Sequence, residues 1–485
     1  MSIFEILNIR VMKSPNDEVL IRWPHSGMGA MHARMEKVKR MIASLLHLPS
    51  GLQAKHNVAW SVIMCFFFIS FSCRAQFDLG GQMLQRAEYR NGFGRLLEDD
   101  QKSVFWIGQR ARIHAGYQHE QVTFFVSAQD IRTWGSTPQA KESDNFLSVH
   151  EAYVGLKWAD HWHLKIGRQE LNYDNVRFLG NLDWALQARA HDFALVKYER
   201  DQMKFHAGAG YNQDREILSR QPFTVTNQYK AAQFARYENT WNKFHMAALF
   251  WNNGAEQNNQ GNMKTRYMQT WGFPMLRYVG EDITVAAFYY HQRGKDITNR
   301  PVRANNAALQ VSYLRKVGTN EARKLQATAG FEFISGTSQQ ATDNVNRSYN
   351  PLYGTNHAHN GYMDFFYVGG RHVNSVGLHD YFLRIRYDLS AVFFLSLNSH
   401  RLVASKDVFE GAVNLNKGLG TEMDLTVGYV LNDVVSLQVG YSQLWDDAAL
   451  RVLQGVNDPA SLQNWSYAAL LIRPNMKNRF VGLLF

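Results

Sequence analysis

The chain has 485 residues, 13% aromatic and 19% charged, with a formal net charge of +10 and a mean hydropathy of −0.35. That hydropathy is too low for a bundle of membrane helices, each needing about 20 consecutive apolar residues, and the aromatic content is too high for a disordered chain. Ten prolines and 35 scattered glycines exclude low-complexity and collagen-like classes. There remain a β-rich or mixed globular protein and a transmembrane β-barrel, whose alternating strands average to a soluble-looking hydropathy.

Residues 58–71 read VAWSVIMCFFFISF, 14 residues without a charge. That is short for a spanning helix and suited to the apolar core of an export signal. Lys55 and His56 precede it, and Cys73 and Ala75 stand at the −3 and −1 positions of a cleavage after Ala75. Phe71 is too bulky for a lipid-anchor motif at Cys73. Residues 1–54 are long and charged for such a signal, with Arg34, Lys37, Lys39 and Arg40, so a start at Met31, Met35 or Met41 is an alternative. The expected division is 1–75, an extension plus signal peptide, and 76–485, the body. The only cysteines, Cys65 and Cys73, fall in the first part, which excludes a disulfide framework and a cysteine zinc site in the body. The body carries 43 basic and 38 acidic residues, a net +5 too dilute to argue for nucleic acid.

From residue 76 the chain repeats one pattern. In Gln109–Tyr117, Ala111, Ile113, Ala115 and Tyr117 share one face while Arg110, Arg112 and His114 share the other. Met203–Tyr211 and Asp424–Tyr429 do the same, and period two means strands. Short breaks, as at His119-Glu120 and Asn432-Asp433, alternate with long ones, including 169–188, 253–264, 293–304 and 336–372. Eight short and nine long connections predict an all-β fold: an antiparallel transmembrane barrel of eighteen strands with short periplasmic turns and long extracellular loops. One face is rich in Ala, Leu, Val and aromatics, the other in Arg, His, Gln and Glu, as a wall in lipid requires. Tyr117, Trp158, Tyr198, Tyr387 and Trp445 near strand ends suit interfacial girdles. A secreted lectin-like protein shares the alternation but not the loop–turn asymmetry. Two segments compete as the last strand: Trp465 to Arg473, closed by Pro474, and the terminal stretch ending in Phe485.

Several stretches resemble the alginate export porin family of eighteen-stranded outer-membrane barrels. They are Leu164–Leu171 (LKIGRQEL), Asp174–Arg177, Gly180–Trp184 and Arg189–Asp192, with Gln129–Arg132 and Trp134-Gly135. Gly330–Gly336, His357 with Gly361–Asp364, Leu397–His400 and Gly420–Leu425 follow in order. The resemblance implies an Arg-rich lumen conducting an anionic polyuronate, with Arg110, Arg112, Arg132, Arg168, Arg177 and Arg189 along the path. It places Asp130, Asp192, Glu332, Glu422 and Asp424 beside them as pairing carboxylates. Arginine suits the task because it pairs carboxylates bidentately and stays charged. Purely structural pairing of buried charge is the competing reading. Strict alternation from Leu164 and Ile166 points Arg168 toward lipid, so a lumen role needs a bulge to re-aim it. His357 and His400 read as polar lining or loop packing rather than as metal ligands. Asp183-Trp184 reads equally as a gate or as loop packing.

No Gly-x-Ser-x-Gly, His-Glu-x-x-His, Walker A or Rossmann fingerprint occurs, so no enzyme, cofactor or metal is expected. The expected partners are outer-membrane lipid and an anionic polysaccharide or smaller anionic solute, with direction set by a gradient or by periplasmic export proteins. A general diffusion or sugar-uptake porin and a surface-binding barrel are the alternatives. The many neutral Asn and Gln residues in the loops weigh against strict uronate selectivity.

Overall fold

The computed structural model describes residues 11–13, 19–21, 76–140, 146–219, 221–259, 262–318, 322–367, 375–474 and 480–483. The chain divides into two units, Met1–Arg74 and Ala75–Phe485. In the first, Val11–Lys13 pairs antiparallel with Val19–Ile21. The predicted export-signal core at 58–71 and the cleavage site at Ala75 lie outside the described residues.

The second unit is a closed barrel of eighteen antiparallel strands. Closure is made by Gln76–Asn91 against Gln463–Ile472, with Asn91 opposite Asn464 and Met83 opposite Ile472. Closing the sheet gives every strand two neighbours, which is what lets backbone amides cross hydrocarbon without unmet hydrogen bonds. The last strand is therefore Gln463–Ile472, ending just before Arg473 and Pro474.

The 253–264 region is not a long loop. Phe244–Asn259 and Asn262–Val279 stay in register up to Asn259 opposite Asn262. This stretch is polar on both faces, so the period-two signal vanishes while the backbone ladder continues. Pairing likewise continues to Lys295 and Pro301, leaving a loop of only 296–300 where 293–304 was expected. A small hairpin, Val408–Glu410 with Val413–Leu415, and a short helix, Ala448–Gln454, decorate two other long connections.

The outer wall is apolar and exposed, with Ile113, Phe124, Ile166, Leu309 and Leu425 as examples. The buried core lies inside the barrel. Two long connections fold inward over their described residues, 170–190 and 335–367, and place Phe178, Trp184, Tyr349 and Tyr353 against lumen-facing wall residues such as Trp251, Tyr290 and Trp465. Burial of these large rings, each removing roughly 150–250 Å² from water, makes the filled lumen the main apolar core of the fold.

Candidate functional site: an occluded, arginine-lined lumen

The two inward connections are tied to each other before they are tied to the wall. The Gly180 N–H donates to the Tyr353 carbonyl at 2.9 Å, the Thr355 N–H to the Val176 carbonyl at 2.8 Å, and the Leu182 N–H to Thr355 Oγ1 at 3.0 Å. Arg189 spans this seam, donating to the carbonyls of Gly180, Tyr353 and Gly354. Burial pushes its guanidinium down to about 10.

Asp183 is the centre of one anchor. Its carboxylate accepts from Arg110 at 2.7 Å and from Arg473 at 2.9 Å. Arg110 comes from the wall strand Val104–His119 and Arg473 from just beyond the last strand. Burial alone would raise the Asp183 carboxyl, but Arg473, Arg110 and Arg112 together hold it well below the usual carboxylate range. The next residue, Trp184, lies under the Arg86 guanidinium at 4.0 Å and stacks on His357 at 4.1 Å. His357 in turn meets Asp364 at 2.8 Å.

Arg177 is the centre of the second anchor. It pairs with Glu332 at 2.8 Å and donates to Asn356 and Asn360 at 3.2 and 2.7 Å. Asn360 donates onward to Glu332 and Asp380, and His400 meets Asp380 at 3.0 Å. Glu422 accepts from the Met363 N–H at 2.7 Å. Gly361, at φ +90, passes so close that an added Cβ would strike the Glu422 carboxylate.

A third element enters from the short-turn end. The described C-terminal residues Phe480–Leu483 lie in the lumen. Gln438 pairs both backbone groups of Val481, donating to its carbonyl at 3.0 Å and accepting its N–H at 3.1 Å. Phe480 meets Phe394 edge-on at 5.0 Å. Gly482, at φ +72, lies directly against Trp184 and His357, leaving no room for a side chain.

Arg110, Arg112, Glu332, Glu422 and Asp424 therefore face the lumen from the wall, and Arg177 and Arg189 lie on the 170–190 connection inside it. Arg112 donates to Gln129 rather than to a carboxylate. Four others do not face the lumen. Arg168 and Asp192 pair at 3.0 Å on the outer wall, both well exposed, because alternation runs through Gly167 unbroken. Asp130 and Arg132 pair with each other opposite Ala111 and Gln109, on the face away from Arg110 and Arg112. Near the long-loop rim such pairs need no burial.

Beyond Arg86 and Arg473, three further lumen arginines carry no motif in the sequence. Arg277, Arg384 and Arg386 border a cavity of about 400 Å³ below the folded loops, on the side of the strands Asn262–Val279 and Leu378–Asp388. Arg277 faces inward because a register shift between Phe273 and Leu276 re-phases its strand around Pro274. Alternation does point Arg384 and Arg386 inward, but no motif marked them. Another irregularity gathers His150, Glu151 and Glu170, whose ligand-type atoms lie within 4.8 Å of one another. His150 meets Glu170 at 2.9 Å, and Glu170 also accepts from Asn181 at 2.9 Å.

The sequence profile described as alginate export matches residues 75–461. No curated protein matches the chain. Among solved structures the fold is similar to the outer membrane protein OpdK of Pseudomonas aeruginosa, with TM-score 0.51 and 11% identity over 82% of this chain and 98% of that one. It is similar to OpdO of the same organism, with TM-score 0.52 and 14% identity over 82% and 96%. A BenF-like porin of Pseudomonas fluorescens gives TM-score 0.51 and 11% identity over 82% and 99%.

Proposed function

Since the chain belongs to the alginate export family, and is an outer-membrane channel rather than an enzyme, we propose that it passes an anionic polysaccharide or smaller carboxylate-bearing solutes through a gated lumen. One observation carries this reading: a loop carboxylate, Asp183, sits between two wall-side guanidiniums, Arg110 and Arg473. A uronate carboxylate offers the same charge and the same two acceptor oxygens. Withdrawal of the 170–190 connection exposes that pair of arginines to cargo. The described arrangement is thus the closed state, with a resident acid where a passing acid would sit.

The cavity beside Arg277, Arg384 and Arg386 is the part of the path already open. Arg386 is paired with Asp388 at 2.7 Å, and Arg384 lies over Phe382 at 4.2 Å. Mixed pairing of this kind favours a path that attracts polyanions without holding them, since fixed charge must admit cargo and still release it. The filled lumen weighs against a permanently open diffusion porin. The chain encodes no energy source, so a gradient or periplasmic proteins would set direction.

The test is reconstitution of the mature chain in planar bilayers. The expected result is an anion-selective reversal potential, block by added polyuronate, and a weaker block in Arg384→Gln/Arg386→Gln. Cation preference, or open conductance indifferent to polyuronate, would move the protein to the general porins. Absence of conductance together with loop-dependent binding would favour a surface-binding barrel.

A further inference from the structure

Three arginines on the outer wall near the long-loop rim come with acids: Arg132 with Asp130, Arg168 with Asp192, Arg401 with Asp447. The hairpin of Ile283–Lys295 and Pro301–Lys316 breaks that habit. Arg293 stands directly opposite Arg303, both exposed. Their neighbours Tyr290, Gln292, Val302 and Ala304 are buried toward the lumen, so the two guanidiniums point outward. Lys295 is exposed on the same face, one step nearer the rim. Like charges directly opposite on a sheet destabilise it unless something compensates. The nearby acids are committed: Asp296 is held by Arg300 at 3.0 Å, and Asp343 is clasped by Arg347 at 2.6 Å. The patch thus holds five cations against two carboxylates.

What lies below the patch narrows its ligand. Trp271 and Tyr289 project outward with large exposed rings. Their polar neighbours are knitted together: Tyr289 donates to Asn305 at 2.8 Å, His291 meets the same oxygen at 2.8 Å, and Trp271 and His291 rings are 5.2 Å apart. Aromatic rings with hydrogen-bonded tips mark the level where hydrocarbon meets headgroups. The opposed arginines stand just outside that level, on the extracellular side.

We propose that this hairpin binds the phosphorylated headgroup of an outer-leaflet glycolipid of the lipid A type. Arg293 and Arg303 share one phosphate, Lys295 adds a further donor, and the acyl chains run down over Trp271 and Tyr289. Guanidinium pairs suit this because each offers two N–H groups to phosphate oxygens. Free phosphate would meet the cations but gain nothing from the rings below.

The experiment uses the full chain purified in detergent, with retained lipid read by native mass spectrometry. The probes are diphosphoryl lipid A, the same glycolipid stripped of phosphate, and inorganic phosphate. The wild type should retain diphosphoryl lipid A and lose about tenfold in apparent affinity as Arg293→Gln/Arg303→Gln, in line with loss of charge-assisted hydrogen bonds. Arg293→Lys/Arg303→Lys should restore most of the binding, which separates lost charge from a misfolded hairpin. Arg401→Gln should bind like the wild type. Equal retention by the glutamine pair, equal retention of the stripped glycolipid, or displacement by equimolar inorganic phosphate would each overturn the proposal.

Discussion

The two sides of the lumen wall use arginine in opposite ways. On the side closed by Gln76–Asn91 and Gln463–Ile472, Arg86, Arg110 and Arg473 grip the 170–190 connection through Trp184 and Asp183. On the opposite side, Arg277, Arg384 and Arg386 border an unfilled cavity of about 400 Å³. The difference separates charge that is present from charge that is available. A guanidinium already holding a loop cannot select cargo until the loop leaves, whereas one on an open cavity can.

The largest expected effect comes from erasing the distinction. Replacing residues 349–366 with a short Gly-Ser linker removes the buried tip of the 335–377 connection and the Asn356, Asn360 and His357 contacts with it. Barrel pairing does not use these residues. Single-channel conductance should rise about tenfold, toward the aqueous channel of open barrels of this strand number. Unchanged conductance would mean that the folded connections are not the barrier.

The second effect concerns the anchor itself. Arg177→Met leaves Glu332 buried without its cation, which typically costs about 3–5 kcal/mol, while Arg177→Met with Glu332→Gln should recover much of that loss. Thermal unfolding followed by gel mobility of the folded barrel reads both. If the double variant is no more stable than the single, the pair is not the anchor.

A smaller effect should follow removal of residues 475–485. The last strand ends at Ile472, so the barrel closes without them. Loss of Phe480–Leu483 frees Gln438 and uncovers Trp184 and His357 at the periplasmic end only. With the two loops still in place, conductance should rise about twofold, as expected for one of two barriers in series. Gly482→Val should move conductance in the same direction, since its Cβ would collide with Trp184.

Strand count, turn asymmetry and the closing family resemblance were legible because period-two alternation in lipid is unavoidable. Arg110 and Arg112 were legible for the same reason, through Ala111 and Ile113 on the other face. A lumen role for Arg168 needs a break in its alternation, and the structure keeps the alternation. The Asp183 clasp was not legible, because nothing local marks a long loop as one that folds inward. Arg277 was hidden by the register shift near Pro274, which reverses parity within one strand. The final strand is ambiguous in the sequence because the terminal stretch ends in an aromatic, Phe485, while Trp465 to Arg473 is closed by Pro474; pairing with Gln76–Asn91 assigns it to Gln463–Ile472.

The smallest expected effect is a flat line, and its sign follows from Asp183. Arg473, Arg110 and Arg112 hold its carboxyl below the usual range, so the clasp contributes stability above the unfolded value near ~3.9. That contribution is lost only as pH falls through the still lower folded value. Between about pH 5 and 8 the carboxylate therefore stays charged, and wild-type conductance should not change through this group. Asp183→Asn removes the charge at every pH and leaves Arg110 and Arg473 side by side on one wall without the acid between them. Its conductance should be higher than that of the wild type and equally flat over the same window. A conductance step with a midpoint near pH 5 that is present in the wild type and absent from Asp183→Asn would show that the two arginines do not hold this acid, and the closed state would need another lock.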